Sequence, residues 1–185
     1  MTDQVLFVCH ANLCRSPMAE YVARRLLAAW PVSVASAGTD AVAGRPMHPY
    51  AAFVVASGGA DPTGFRSRRL SAGLLTGAAL VLTATRRQRS VCAALAPAAL
   101  PRTFTLRQFA RLVAVADPPA GTGDRPLRAV VEAAARGRAR LQPVPDSDSD
   151  DLPDPLGGTV LDFTRCAGEI ERAVAPIGTL IAAAG

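Results

Sequence analysis

The stretch QVLFVCHANLCRSPMAEYVARRL, residues 4 to 26, constrains this chain more than any other. Its first part, QVLFV, is short, apolar and rich in β-branched residues, and reads as a buried strand. Its last part continues as PMAEYVARRLLAAW, with Met18, Tyr21, Val22, Leu26 and Leu27 at helical spacing. Pro17 suits the first turn of that helix, and Ser16 suits its cap. Between strand and helix lies a polar loop that holds two cysteines, an asparagine and an arginine.

The alternation continues along the chain. VSVASAG reads as a second strand, MHPYAAFVVASGG as a helix stopped by glycines, and AALVLTAT as a third strand. RRQRSVCAALA reads as a helix, RTFTL as a short fourth strand, and RQFARLVAVA and PLRAVVEAAARGRARL as helices. The acidic, Pro-rich PVPDSDSDDLPDPLGG is a loop, and DPPAGTGDR, Asp117 to Arg125, is the best candidate for a flexible one. The chain closes on one long helix, bent near Pro176. Strands alternating with helices predict an α/β fold of three αβα layers, a parallel sheet covered on both faces. Ligands in such folds sit beyond the carboxyl ends of the strands, where the opening loop falls. No internal repeat or linker divides the sequence, so residues 1–185 are read as one domain.

Composition narrows the functions. Half of the residues are apolar, which argues against disorder. No apolar run reaches membrane-spanning length, and the first residues lack the features of a signal sequence. A cytoplasmic protein with no membrane partner is expected. The net charge is +5 and every cation is arginine, but these are scattered and the aromatics are few, so no nucleic-acid partner is expected. Four cysteines, Cys9, Cys14, Cys92 and Cys166, do not make a disulfide framework in a chain of this length. With only two histidines and no C-x-x-C spacing, no metal site is expected.

Cys9 and Arg15 stand in a C-x5-R spacing that occurs twice. The second copy, CAGEIER from Cys166 to Arg172, lies within a helix and contains Glu169 and Glu171, which repel anions. Cys166 is read as packing. The first copy contains no acid and joins a strand to a helix start. There the amides of His10, Ala11, Asn12, Leu13, Cys14, Arg15 and Ser16 can converge on an oxyanion. The same field favours a thiolate at Cys9. Arg15 can hold two oxygens with its planar fork, Ser16 can donate to the Cys9 sulfur, and Asn12 can tie the loop. Cys14 is a bystander or a partner in a protective disulfide on oxidation. His10 is read as an exposed spectator and His48 as a helix starter.

On these residues the chain resembles the low-molecular-weight protein-tyrosine-phosphatase family, whose loop is typically C-x-G-N-x-C-R-[ST] and here reads CHANLCRSP. SAGT at Ser36 to Thr39, FRSRRL at Phe65 to Leu70 and DLPDPLGG near the C-terminus extend the resemblance across most of the chain. It implies a four-stranded parallel sheet with a phosphate-binding loop after the first strand. It also implies a phosphocysteine at Cys9, with Arg15 and the loop amides on the phosphoryl oxygens and Ser36 in support. Asp154 would serve as proton donor and acceptor; the local sequence does not choose it among Asp146, Asp148, Asp150, Asp151 and Asp154. The implied substrate is a phosphorylated protein or a small phosphate ester, with no cofactor and a monomeric chain.

Four positions depart from the family pattern. Ala11 replaces the loop glycine, at a cost of about 1 kcal/mol if that position needs a positive φ. Phe65 replaces a histidine that supports the loop. Val42 and Leu156 replace rings that would flank an aryl group, so low aryl selectivity is expected. Arsenate reduction shares the fold and the loop, since arsenate mimics phosphate. It would need an external thiol, because Cys92 fits the second relay cysteine while Thr85 occupies the place of the first. Cys92 is read as core packing, with a redox role as the alternative. A weakly active anion-binding relative is the third reading.

Overall fold

A computed structural model describes residues 2–116, 125–138 and 150–184. Its centre is a four-stranded parallel sheet in the order β2-β1-β3-β4, made of β1 (Asp3–Cys9), β2 (Val32–Gly38), β3 (Leu80–Thr83) and β4 (Thr103–Thr105). Among the described residues seven α-helices flank it: α1 (Arg15–Leu26), α2 (Pro49–Ser57), α3 (Ala72–Gly77), α4 (Arg86–Leu95), α5 (Leu106–Ala114), α6 (Pro126–Gly137) and α7 (Val160–Ala184). The α/β architecture, its parallel sheet and the strand-loop-helix opening match the sequence expectation.

The alternation along β1 divides the interior in two. Val5, Phe7 and Cys9 turn toward the larger apolar cluster, which includes residues of α1, α5, α6 and α7. Leu6 and Val8 turn toward a smaller one with Val81 of β3, Leu75 of α3 and Cys92 of α4. A central strand buried on both faces needs apolar residues at both parities, which QVLFV supplies.

Two strands hand over to helices through threonine. Thr85, just past β3, accepts a hydrogen bond from the Gln88 amide (3.3 Å) and caps α4. Thr105, the last residue of β4, accepts from the Gln108 amide (3.1 Å) and caps α5. Each hydroxyl satisfies an amide that the first helical turn leaves without a partner.

Two expectations change. Helix α1 starts at Arg15 and its cap position is Cys14, without a side-chain cap bond; Ser16 lies inside the first turn and its hydroxyl faces the loop instead. Pro17 stays in the first turn, where a missing N–H costs nothing. The short helix α3 and a 3-10 turn at Pro97–Arg102 were not anticipated, because each carries too few residues to show periodicity. Helix α7 is the one long closing helix expected, running from Val160 to Ala184 with Pro176 inside it. The candidate flexible loop falls on residues 117–124, outside the described residues, as do Asp146 and Asp148.

Candidate active site

The loop from His10 to Cys14 leaves the C-terminal end of β1 and runs straight into α1. The register pairs Cys9 with Gly38 of β2, and Thr39 then donates its amide to the Cys9 carbonyl (3.0 Å) and Asp40 to the His10 carbonyl (3.0 Å). Gly38 lies under the loop so closely that a Cβ there would stand 2.4 Å from the His10 oxygen and 2.7 Å from the Asn12 nitrogen. Only glycine fits that contact. On the other side, His48 donates its amide to the Leu13 carbonyl (3.0 Å), tying the loop to α2.

The left-handed residue of the loop is Asn12, with φ of 55°. Ala11 is not left-handed, so the strain foreseen for alanine at that position does not arise. Asparagine tolerates this conformation better than most residues. Its fully buried side chain is saturated: Nδ2 donates to Ser16 Oγ (2.9 Å) and Ser36 Oγ (2.8 Å), and Oδ1 accepts from the Arg68 amide (2.9 Å). The support expected from Asn12, Ser16 and Ser36 is therefore assembled in one chain of bonds. Phe65 is buried in the apolar cluster with its ring edge toward Tyr21. The polar end of the chain is Glu20, which accepts from Ser36 Oγ (2.5 Å) and pairs with Arg24.

Cys9 Sγ and Ser16 Oγ are 3.0 Å apart. Among the described residues, no acceptor takes the amide hydrogens of residues 11 to 15, the amides expected to line an oxyanion site. Arg15, only 6% exposed, donates from Nη1 to the Leu152 carbonyl (3.2 Å) and from Nη2 to Asp154 Oδ2 (2.5 Å). Its Nε is buried with no acceptor. A guanidinium this enclosed, with an unmatched donor beside a row of unmatched amides, suits a bound anion with several oxygens.

The acids of the last loop separate by contact. Asp150 pairs with Arg111 (2.8 Å), Asp151 accepts from the Arg86 amide (2.7 Å), and Asp154 reaches Arg15. Leu152 fixes this arrangement, because its amide bonds the Ala84 carbonyl at the end of β3 (2.8 Å) while its carbonyl holds Arg15.

The remaining thiols differ in setting. Burial, reinforced by Asp154 and Cys9 against the pull of Arg15, pushes the Cys14 thiol up to about 12. Burial pushes Cys166 up to about 12 as well, with Arg15, Asp154 and Cys14 within its electrostatic reach. The second C-x5-R cysteine thus packs in the same cluster as Cys9 and Cys14. Cys92 sits in the smaller cluster, toward the other face of the sheet, with its thiol also pushed up to about 12 by burial. It is not brought to the loop, and all four cysteines are free.

At the rim, His10 Nδ1 lies 3.1 Å from Asp40 Oδ2, so the expected spectator has a partner. The Thr39 hydroxyl, with help from His10 and Arg69, holds the Asp40 carboxyl below its ordinary value. His48 caps α2 through Nδ1 (3.3 Å from the Tyr50 amide) and stacks on Phe163. Val42 and Leu156 are 67% and 60% exposed. No group of metal-ligating side chains occurs among the described residues.

Glu20, Gly38, Arg68 and Leu152 were not singled out in the sequence. Glu20 could have been found, since Asn12, Ser16 and Glu20 recur every four residues and so share one face of α1 and its lead-in. Arg68 and Leu152 act on the loop and Arg15 partly through backbone groups, which carry no side-chain signature.

The family described as low molecular weight phosphotyrosine protein phosphatase matches residues 4–142 of this chain, a span that ends before Asp154. The chain is 36% identical over 118 residues to the "Probable low molecular weight protein-tyrosine-phosphatase EpsP" of Ralstonia nicotianae, covering 64% of this chain and 79% of that protein. It is 34% identical over 109 residues to the protein-arginine-phosphatase of Geobacillus stearothermophilus, covering 59% of this chain and 72% of that protein. Among solved structures, the YwlE arginine phosphatase from Geobacillus stearothermophilus superposes with a TM-score of 0.70 at 25% identity, over 96% of this chain and 91% of that one.

Proposed function

Because the chain belongs to the low molecular weight phosphotyrosine protein phosphatase family, and is a hydrolase of that type, we propose that it hydrolyses phosphate monoesters in two transfers through Cys9. The observation that carries this reading is Arg15: a buried guanidinium with an unmatched Nε, at the opposite end from Cys9 of a loop whose amides 11 to 15 have no acceptor among the described residues.

In the first transfer the Cys9 sulfur attacks phosphorus in line. The S–P bond forms as the bond to the ester oxygen breaks. Arg15 and the amides of the loop hold the three equatorial oxygens, where charge accumulates. The Ser16 hydroxyl, 3.0 Å from the Cys9 sulfur, is close enough to donate to the thiolate and steady it. The phosphoryl group takes over the Arg15 fork, and Asp154 turns from it to give a proton to the leaving oxygen. In the second transfer water attacks phosphorus, Asp154 takes its proton, the S–P bond breaks, and inorganic phosphate leaves with Cys9 restored. No cofactor enters. Val42 and Leu156, exposed at the positions where the resemblance implies flanking rings, offer none to sandwich a phenol, which supports low selectivity for aryl over alkyl phosphates.

Steady-state assays with an aryl and an alkyl phosphate test the reading. Cys9→Ser abolishes turnover, and Asp154→Asn lowers kcat for the aryl ester by about 10²–10⁴-fold. Turnover that survives Cys9→Ser defeats the mechanism, and strict preference for aryl esters defeats the selectivity. The 34% identity to a protein-arginine-phosphatase favours a second substrate class, phosphorylated arginine, cleaved at a P–N bond by the same three residues. A phosphoarginine peptide in the same assay decides between them. Arsenate reduction finds no support at Cys92, which lies in the smaller cluster away from Cys9.

A further inference from the structure

We propose that Arg87 reads a second anionic group on the substrate, a proposal that rests on the phosphatase reading of the site. Arg15 and Asp154 open onto a cleft of about 440 Å³ whose far wall is formed by Arg87 and its neighbours at the start of α4. The two acids of that cleft are already engaged: Asp154 with Arg15, and Asp40 with His10 and Thr39. Arg87 has no hydrogen-bond or ion-pair partner among the described residues.

Its position makes this unusual. Arg87 stands in the first turn of α4, the positive end of a helix, and that turn holds no acid. A cation there is disfavoured by the helix dipole, whereas an anion beside it is favoured by both helix and guanidinium. The fold places this charge in the same cleft as the proposed phosphoryl site and gives it no partner among the described residues. Arg87 offers a charged contact beyond the phosphate in that cleft. The substrate class that fits is a phosphate monoester carrying a carboxylate or a second phosphate. An acidic phosphopeptide and a small diacidic ester present the same chemistry.

Two substrate pairs test the proposal and separate those sources. One is a phosphotyrosine peptide with flanking Glu, against the same peptide with Gln. The other is an aryl phosphate with a ring carboxylate, against its methyl ester. For wild type, kcat/KM favours the charged member of a pair by about two- to fivefold, the range of an exposed ion pair. The ratio falls to about one in Arg87→Ala and below one in Arg87→Glu. It also shrinks between about 50 and 500 mM salt. A preference confined to the peptides assigns the anion to a protein substrate, and one confined to the esters assigns it to a small one. An equal ratio in wild type and Arg87→Ala overturns the proposal. Affinity for the same peptides, measured in Cys9→Ser with and without Arg87→Ala, keeps the tests apart. If wild type hydrolyses none of these substrates the phosphatase reading fails, while the affinity contrast still decides Arg87.

Discussion

At the scale of single residues, the loop depends on positions whose importance is steric as much as chemical. Asn12 takes the left-handed conformation, and its three hydrogen bonds hold it there, which frees Ala11 from the constraint that a glycine would meet. Gly38 is the stricter position. A methyl group there meets backbone atoms of His10, Ala11 and Asn12, none of which can turn aside as a side chain would. Gly38→Ala should therefore cost about 1–3 kcal/mol, as overpacked sites do. That corresponds to a Tm lower by about 2–10 °C for a chain of this size. Phosphatase activity should fall further than the stability loss explains, since the displaced atoms belong to the oxyanion loop. A variant with wild-type Tm and kcat/KM would show that the loop yields, contrary to this view. Glu20 illustrates a different point: a buried carboxylate anchors the hydroxyl of Ser36, and through it Asn12.

At the scale of elements, the handovers from loop to helix determine where side chains arrive. Thr85 and Thr105 end two strands by capping the helices that follow. The start of α7 is fixed in a similar way. Asp162 Oδ2 accepts from the Thr159 amide (2.7 Å) and from the Thr159 hydroxyl (2.8 Å). The Thr159 amide, then its hydroxyl, then Arg165 hold the Asp162 carboxyl below its ordinary value of 3.8. The folded value is depressed, so this contribution to stability is present above about 3.8 and is lost as pH falls through the lowered folded value. Asp162→Ala should lower Tm at pH 7, and the gap to wild type should close as the pH drops below that range. Thermal melts from pH 7 to about 2.5 measure this; a gap that stays constant would mean that the carboxylate charge is not what caps α7.

At the scale of the whole molecule, the two apolar clusters sort the four cysteines. Cys14, Cys92 and Cys166 are each pushed up to about 12, chiefly by burial, so they remain thiols at pH 8. Cys9, at the end of β1 and 3.0 Å from Ser16 Oγ, is the thiol proposed as the nucleophile. Iodoacetate at pH 8 should label the folded protein once, at Cys9, and added phosphate should slow the reaction. Intact-mass and peptide analysis read this directly. Comparable labelling of Cys14 or Cys166 would contradict the assignment of the nucleophile.

The amino-acid sequence by itself determined the parallel α/β architecture, because the switch between strand and helical periodicity is local and repeats along the chain. It also determined that Cys9 and Arg15 stand at the two ends of one strand-to-helix loop, since the change from strand to helical pattern falls between them. Only the tertiary structure decided the rest. Asp154 meets Arg15 across 139 residues of chain because Leu152 is bonded to both β3 and Arg15. Gly38, Arg68 and Glu20 meet the loop from β2, from the segment before α3 and from α1. The same acidic run contains Asp150 and Asp151, which composition cannot distinguish from Asp154 and which packing sends to other partners. Side-chain pattern specifies elements, whereas the meeting of distant backbone and buried polar groups follows from how those elements close on one another.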